Sequence, residues 1–487
     1  MCDAGCVPGD HGLTVTINAT RADHDLDWET DESYRLEVST KGGMVRAQVL
    51  AATVWGARHG AQTLAQLFTA TTMPAASVSA KPKMMLLAVA TARVADSPRY
   101  PHRGLLLDTA RHFLPLAALL RTVDAMAASK LNVLHWHATD SHSFPLLLPS
   151  VPQLARLGAY SSKEVYTPAA VASLLRYARV RGVRVLLEID APAHCSAGWT
   201  WGEDAGLGPL VLCAAQQPWR SYCIQPPCGQ LNPANPAVYS VLRAVYRDLV
   251  RVLPRGEALH LGGDEVFFAC WNASQPVTDY LAATGRGRGE ADFLNLWAEF
   301  HAGSLAALDE AVGAVGKAGT TAVLWSSHLT RPPHVDSYVD KDRYVIETWT
   351  EAGDALPEQL LSRGYRVILA AKDAWYLDHG WWGRTSYRPW RAVRDRRLPS
   401  SAGTPGTVLG GEAALWGELT DATTLDGKLW PRAAALAERL WTDPSEPSSA
   451  PGVEARFLAH RDRLLALGVR AEAVAPQWCQ LRDGQCA

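Results

Sequence analysis

No C-x-x-C pair occurs among the nine cysteines, so zinc-ribbon and thioredoxin-like readings have no support. There is no Lys/Arg block either. The 47 basic and 49 acidic side chains are intermixed and leave a formal net charge of -2, which gives a nucleic-acid backbone or an anionic membrane nothing to grip. No nucleic-acid partner is expected. Roughly the first thirty residues are polar and lack the apolar core of a signal peptide, and no membrane span follows, so a trimmed or incomplete N-terminus is expected. Phenylalanine is scarce, at eight residues against eighteen tryptophans. Indoles fill cores but also stack on sugars and bases, so some of them should line a pocket.

The cysteines cluster instead in loops. Cys213, Cys223 and Cys228 crowd one stretch, and Cys479 and Cys486 bracket the last turn. Such close pairs in polar loops indicate the disulfides of an oxidising compartment. A Cys479–Cys486 bond is expected because Gly484 lets the short intervening loop close. The sequons Asn18-Ala19-Thr20 and Asn272-Ala273-Ser274 point the same way.

At 487 residues the chain suits a barrel of roughly 250 to 400 residues with an appendage. We assign residues 1–97 to a small α+β domain. It opens with the alternating strands L-T-V-T-I-N and Y-R-L-E-V and continues with the helical W-G-A-R-H-G-A-Q-T-L-A-Q-L-F. The stretch Thr71 to Lys83, rich in Pro and Ser, reads as a surface loop within it, and a linker near Ala95 to Pro101 leads out.

Residues 98–487 repeat strand, loop and helix, the pattern of parallel strands joined by crossover helices. The candidate strands are Gly104 to Asp108, Asn132 to His137, Val183 to Glu188, Ala258 to Gly262, Ala322 to Trp325, Tyr344 to Trp349, Arg366 to Ala370 and Val408 to Glu412. Leu116 to Ser129 and Pro168 to Val180 are among the helices between them. Eight such units close most economically into an α/β (β/α)8 TIM barrel, whose chemistry sits at the C-terminal strand ends.

Those ends carry Asp108 and Arg111, then His135, His137 and Asp140, Glu188, Asp190 and His194, Asp264 and Glu265, Trp325, Trp349, Tyr376 and Asp378, and finally Glu412, Trp416 and Glu418. An acidic and aromatic rim suits a neutral, hydroxyl-rich ligand, because carboxylates accept from hydroxyls and indoles cover apolar ring faces. Asp264 and Glu265 follow the strand-breaking Gly262-Gly263. Adjacent carboxyls in a partly dry site tend to keep one proton between them and so supply an acid and a charge stabiliser together. The same pair reads equally well as the cap of a helix beginning at Val266.

The motifs R-G-L-L-L-D-T-A-R-H-F, L-H-W-H-A-T-D-S-H-S-F-P, H-L-G-G-D-E-V and L-W-G-E occur in an order that resembles glycoside hydrolase family 20, the β-N-acetylhexosaminidases. E-S-Y-R-L and the W-G-A-R-H-G helix resemble that family's non-catalytic domain. The resemblance implies exo-acting, retaining, substrate-assisted hydrolysis of a terminal β-linked N-acetylhexosamine with no metal or cofactor. Glu265 matches the general acid/base, Asp264 the carboxylate that orients the 2-acetamido group, and Tyr376 the tyrosine that donates to the acetamido oxygen. Arg103 resembles the arginine clamping the 3- and 4-hydroxyls, and Asp378 and Glu418 resemble the carboxylates at the sugar's far edge. Trp325, Trp349 and Trp416 match the pocket walls, and Asp140 and His194 match a pair behind Glu265. His135, His137 and His142 are conceivable metal ligands, but the resemblance implies packing or hydrogen bonding for them.

The stretch W-Y-L-D-H-G, with the short H-G-W-W-G-R-T-S-Y-R-P-W that follows Asp378, resembles the arthropod branch called fused lobes, which trims N-glycans in the secretory pathway. The chitin-degrading branch carries a longer loop there, with a tryptophan for the next sugar of a linear chain. Trp381 or Trp382 are candidates for that platform here. The resemblance therefore implies an N-glycan substrate, with a chitooligosaccharide as the alternative, a secreted or membrane-associated protein, and by analogy a homodimer. Two rivals stay open: a sugar-binding barrel without chemistry, and a metal-dependent barrel enzyme that would lose activity to a chelator.

Overall fold

Strand Tyr34–Lys41 alternates buried and exposed side chains, burying Tyr34, Leu36 and Val38, and strand Met44–Thr53 buries Val45, Ala47 and Val49 in step with it. This period of two makes one face of a sheet apolar, and helix Val54–Gln66 covers that face. The helix lies close because Gly60 faces the sheet, where an added Cβ would come within 2.4 Å of Val49 Cγ1. Thr53 caps it by accepting from the Gly56 amide at 3.1 Å. The sheet order is Gly12–Arg21, Met44–Thr53, Tyr34–Lys41, Ala92–Asp96, with only the first pair parallel. The expected linker thus begins inside a strand. Likewise the expected Thr71 to Lys83 loop starts in strand Phe68–Met73 and ends in its antiparallel neighbour Lys83–Ala88.

The computed structural model describes residues 12–21, 25–73, 83–316 and 320–480, and forms two compact units, Met1–Pro101 and His102–Ala487. The second is a closed barrel of eight parallel strands. We number them β1 (His102–Asp108), β2 (Val133–His137), β3 (Arg184–Glu188), β4 (Leu259–His260), β5 (Ala322–Trp325), β6 (Tyr344–Thr348), β7 (Arg366–Leu369) and β8 (Thr407–Leu415). Each follows its neighbour in order, and β8 pairs with β1 to close the ring. Strand β4 is shorter than expected because Gly262 and Gly263 turn the chain, and β8 is longer, running past Glu412 to Leu415. Helices Leu116–Ala128 and Pro168–Arg179 are two of the crossovers, and Leu119, Val123, Met126 and Leu174 are sealed beneath them.

Aliphatic layers are the usual filling of such a barrel, but here the core carries charge. His135 places Nδ1 2.7 Å from Glu412 and Nε2 3.0 Å from Glu188, both fully buried. His137 Nδ1 meets the same Glu188 at 2.5 Å, and the Trp325 indole donates to Glu188 at 2.7 Å. Burial opposes charge on His135, yet Glu412 and Glu188 hold its pKa well above the ordinary histidine value. With both nitrogens donating to carboxylates, neither His135 nor His137 offers a lone pair to a metal.

Glu347 on β6 is the unmatched member of this layer. The nearest imidazole nitrogens, His260 Nε2 and His135 Nδ1, stand 3.6 and 3.8 Å away, and neither carboxylate oxygen has a hydrogen-bond partner. Burial and then the neighbouring Glu412 push its pKa up to about 8. The folded protein therefore holds a proton there that the unfolded chain releases above its ordinary value of 4.5, so stability falls as pH rises between those two values. The slope from one such group is about 1.4 kcal/mol per pH unit. Glu347→Gln is expected to flatten it: denaturation midpoints at pH 5 and pH 7.5 should lie closer together than in the parent, and an unchanged gap would count against a proton on Glu347.

Disulfides Cys213–Cys270 and Cys223–Cys228 pin the long loop after β3. Cys479 is also disulfide-bonded, but the expected pairing involves Cys486, which lies outside the described residues. No helix among the described residues is long and apolar enough to cross a membrane.

Candidate active site

The turn after β4 is built by two glycines in the left-handed region, Gly262 at φ 64° and Gly263 at φ 91°. An added Cβ on Gly262 would lie 1.8 Å from Asp190 Oδ1, so no other residue fits between the ends of β3 and β4. The Gly263 amide donates to that same oxygen at 3.0 Å. Glu265 is itself held at φ 48°, a conformation that costs a non-glycine residue about 1–3 kcal/mol and is kept where a site requires it. The following helix, Phe268–Ala273, starts three residues later with no side-chain cap. Asp264 and Glu265 therefore do not cap it; they face a cavity of about 600 Å³.

Behind Glu265 runs a relay of charge. His194, also left-handed at φ 55°, sets Nε2 3.2 Å from Glu265 Oε2 and Nδ1 3.1 Å from Asp140 Oδ2. Asp140 in turn meets Arg111 at 2.9 Å and His137 Nε2 at 3.3 Å. Burial works against charge on His194, but Asp140 and Asp190 hold its pKa well above the ordinary value. It is an imidazolium donating to both carboxylates. His194, Asp264 and Glu265 each bring a ligand atom within 4.8 Å of the others, but a cationic His194 has no lone pair for an ion.

Two residues lining the cavity have a buried carboxylate oxygen with no hydrogen-bond partner, Asp264 Oδ1 and Glu418 Oε2, and Asp378 Oδ1, near enough for the Glu418 charge to act on it, is a third. A buried orphan acceptor is costly unless a ligand satisfies it, so these oxygens mark where N–H or O–H groups dock. Burial raises Asp264 to about 6, with Glu265 adding to the rise and His194 opposing it. Burial, then Asp378 and Asp264, hold the Tyr376 phenol well above its ordinary value, so it stays a neutral donor. Trp325, Trp349 and Trp416 wall the cavity, with Trp325 and Trp416 centroids 6.0 Å apart and the Arg111 guanidinium 5.3 Å from the Trp416 ring.

Of the residues expected from the sequence, Asp264, Glu265, Tyr376, His194, Trp325, Trp349, Trp416 and Glu418 line this cavity. Asp140 stands one layer behind, and Asp378 accepts the Trp382 indole N–H at 2.8 Å. His142 meets Asp140 at 3.1 Å.

Arg103 is a correction. It is the second residue of β1, fully buried, with Nε donating to the Lys130 carbonyl and the guanidinium over Trp441. The five residues from Arg103 to Asp108 put it roughly 16 Å below the rim, given a rise of about 3.3 Å per residue. Arg111 takes its place: just beyond the end of β1, buried and paired with Asp108 and Asp140, it lines the cavity. Asp190, expected at the rim from its position two residues past β3, also lines the cavity. The missed lining comes from loops, Trp219, Ile224, Gln225 and Pro226 of the disulfide-pinned loop and Lys372 and His379 beyond β7, while Trp382, a candidate outer platform from the sequence, lines the cavity as well. No periodicity announces such residues.

Residues 100–444 match the family described as glycosyl hydrolase family 20, catalytic domain, and residues 11–67 match one described as beta-acetyl hexosaminidase like. A chitooligosaccharidolytic beta-N-acetylglucosaminidase of Ostrinia furnacalis is 43% identical over 94% of this chain and 75% of its own length. A probable beta-hexosaminidase fdl of Drosophila melanogaster is 37% identical over 97% of this chain and 70% of its own. Among solved structures, the chitobiase of Flavobacterium johnsoniae superposes with a TM-score of 0.69 at 24% identity, covering 94% of this chain. This chain spans 63% of that protein's length, and the likeness bears on the fold.

Proposed function

The chain belongs to glycosyl hydrolase family 20, and we propose that it removes a terminal β-linked N-acetylhexosamine with Glu265 as general acid/base and Asp264 as the partner of the substrate's own acetamido group. The observation that carries these roles is the buried, unpartnered Asp264 Oδ1 beside Glu265. An acetamido N–H satisfies that oxygen, and Tyr376 donates to the acetamido oxygen. That oxygen then attacks the anomeric carbon while Glu265 protonates the leaving oxygen. The bond to the aglycone breaks, a cyclic oxazolinium forms, and ionised Asp264 offsets its positive charge. Glu265, now a carboxylate, is held by the His194 imidazolium and takes a proton from the water that opens the ring. Arg111, Asp378 and Glu418 bind the remaining hydroxyls, and the indoles cover the ring face.

Because Asp264 acts ionised, rate should fall as pH drops through its value of about 6. We expect an acidic limb of kcat/KM near that pH that disappears in the residual activity of Asp264→Asn. A limb retained in that variant would assign it to another group.

For the acceptor, the reading is an N-glycan antenna carrying β1,2-linked N-acetylglucosamine, in the secretory pathway. The loop after Asp378 supports it, because it folds back on itself: the Gly380 amide donates to Thr385 Oγ1 at 2.9 Å, and Trp382 is tied to Asp378. Disulfides Cys213–Cys270 and Cys223–Cys228 support an oxidising compartment. A chitooligosaccharide is the second reading. Trp219, Ile224 and Trp382 are among the cavity's lining residues, and the Ostrinia furnacalis relative carries that activity in its name. A specificity constant for a biantennary glycan above that for chitotriose is expected; the reverse order selects the second reading and leaves the hydrolase roles standing.

A further inference from the structure

Away from the cavity's carboxylates, two imidazoles and a carboxylate from three separate elements converge on one point. Glu290 is the first residue of helix Glu290–Ala314, His328 sits in the loop after β5, and His334 opens helix His334–Tyr338. His328 Nε2 is 2.7 Å from Glu290 Oε1, the His328 and His334 rings are 5.1 Å apart, and one ligand atom from each residue lies within 4.8 Å of the others. We infer that Glu290, His328 and His334 form a surface site for a divalent transition metal of the zinc class.

The donor set selects the ion. Two neutral imidazoles and one carboxylate suit Zn²⁺, Co²⁺, Ni²⁺ or Cu²⁺, whereas Mg²⁺ and Ca²⁺ take oxygen ligands. Tetrahedral zinc with bonds of about 2.1 Å sets its ligand atoms about 3.4 Å apart, so the His328–Glu290 hydrogen bond must open by less than an ångström. Both side chains are free to make that move, at 48% and 66% exposure. Binding uses the neutral tautomer of His328 with its proton on Nδ1, so that Nε2 exchanges its hydrogen bond with Glu290 for a bond to the ion, and the fourth position is left to water; nothing is oxidised or reduced. Pro332 and Pro333 stiffen the short segment joining the two histidines, which lowers the entropy lost on closure.

The site would act on structure and not on the reaction. Helix Glu290–Ala314 carries His301, whose ring packs where a Cβ on Gly263 would sit, 2.6 Å from Cε1. Strand β5 carries Trp325 of the cavity wall. An ion at Glu290, His328 and His334 therefore ties together two elements that flank Asp264, and it stabilises the folded protein by mass action.

The test uses the whole protein stripped with EDTA and titrated with ZnCl2 by calorimetry, alongside His328→Ala and His334→Ala. The parent should bind zinc and gain melting temperature with it. Each variant should bind at least about tenfold more weakly and lose that gain, with far-UV circular dichroism unchanged. Hydrolysis of an N-acetylglucosaminide by the stripped parent should match the untreated enzyme, because the catalytic residues proposed above require no metal. Zinc binding of the same affinity in both variants overturns the site, as does no binding to the parent. Loss of activity on stripping would instead strike at the proposed catalytic roles.

Discussion

Glu265→Gln is expected to leave the fold and sugar binding intact while lowering kcat by about 10²–10⁴-fold on a substrate with a poor leaving group, the span a general acid contributes. The amide keeps the shape of the carboxyl and can still accept from the His194 imidazolium at the position now 3.2 Å away, so the relay through Asp140 is undisturbed. It has no acidic proton to give to the departing oxygen. The loss should therefore shrink for an aryl glycoside whose leaving group needs no proton, and KM should barely move. Equal losses on both leaving groups would mean that Glu265 matters for something other than proton donation. Near-normal turnover on the alkyl glycoside would remove it from the reaction.

Asp264→Asn should cost about 10²–10³-fold, the range for losing one preorganised electrostatic partner of a developing charge. Its mechanism of failure differs. The asparagine removes the negative charge that offsets the oxazolinium, and it places either an amide N–H or a weaker acceptor where the unpartnered Oδ1 awaits the acetamido N–H. The defect should persist with aryl leaving groups, because ring closure and not proton donation is impaired. A thiazoline mimic of the cyclised intermediate should bind the parent tightly and this variant poorly. Equal inhibition of both proteins would contradict the role given to Asp264.

Much of this architecture was legible because it rests on local pattern. Short apolar runs between helical stretches marked the eight barrel strands, and side chains just past their ends, Asp264, Glu265, His194 and Trp416, reach the cavity because parallel strands share one polarity. Arg103 failed for the same geometric reason that these succeeded: a residue at the start of β1 cannot reach the rim at its end, whereas Arg111 can. The Cys213–Cys270 bond spans 57 residues, and only folding brings those two loops together. The charged barrel core was invisible in a different way. His135 and Glu412 are distant in sequence, and nothing in either neighbourhood states that a proton is shared between them at 2.7 Å. The loop residues Trp219, Gln225 and Lys372 carry no period at all, since a loop's path is set by what it closes over.

The central claim is that the nucleophile belongs to the substrate, and it is tested most directly by comparing kcat/KM for an aryl β-N-acetylglucosaminide with that for the matching β-glucoside, which differs only at the 2-position. The account predicts that the glucoside is nearly inert, because without the acetamido oxygen there is nothing to attack the anomeric carbon and nothing for Asp264 Oδ1 and Tyr376 to hold. Efficient hydrolysis of the glucoside would show that a side chain of the protein supplies the nucleophile, and the roles assigned to Asp264 and Tyr376 would fall with it.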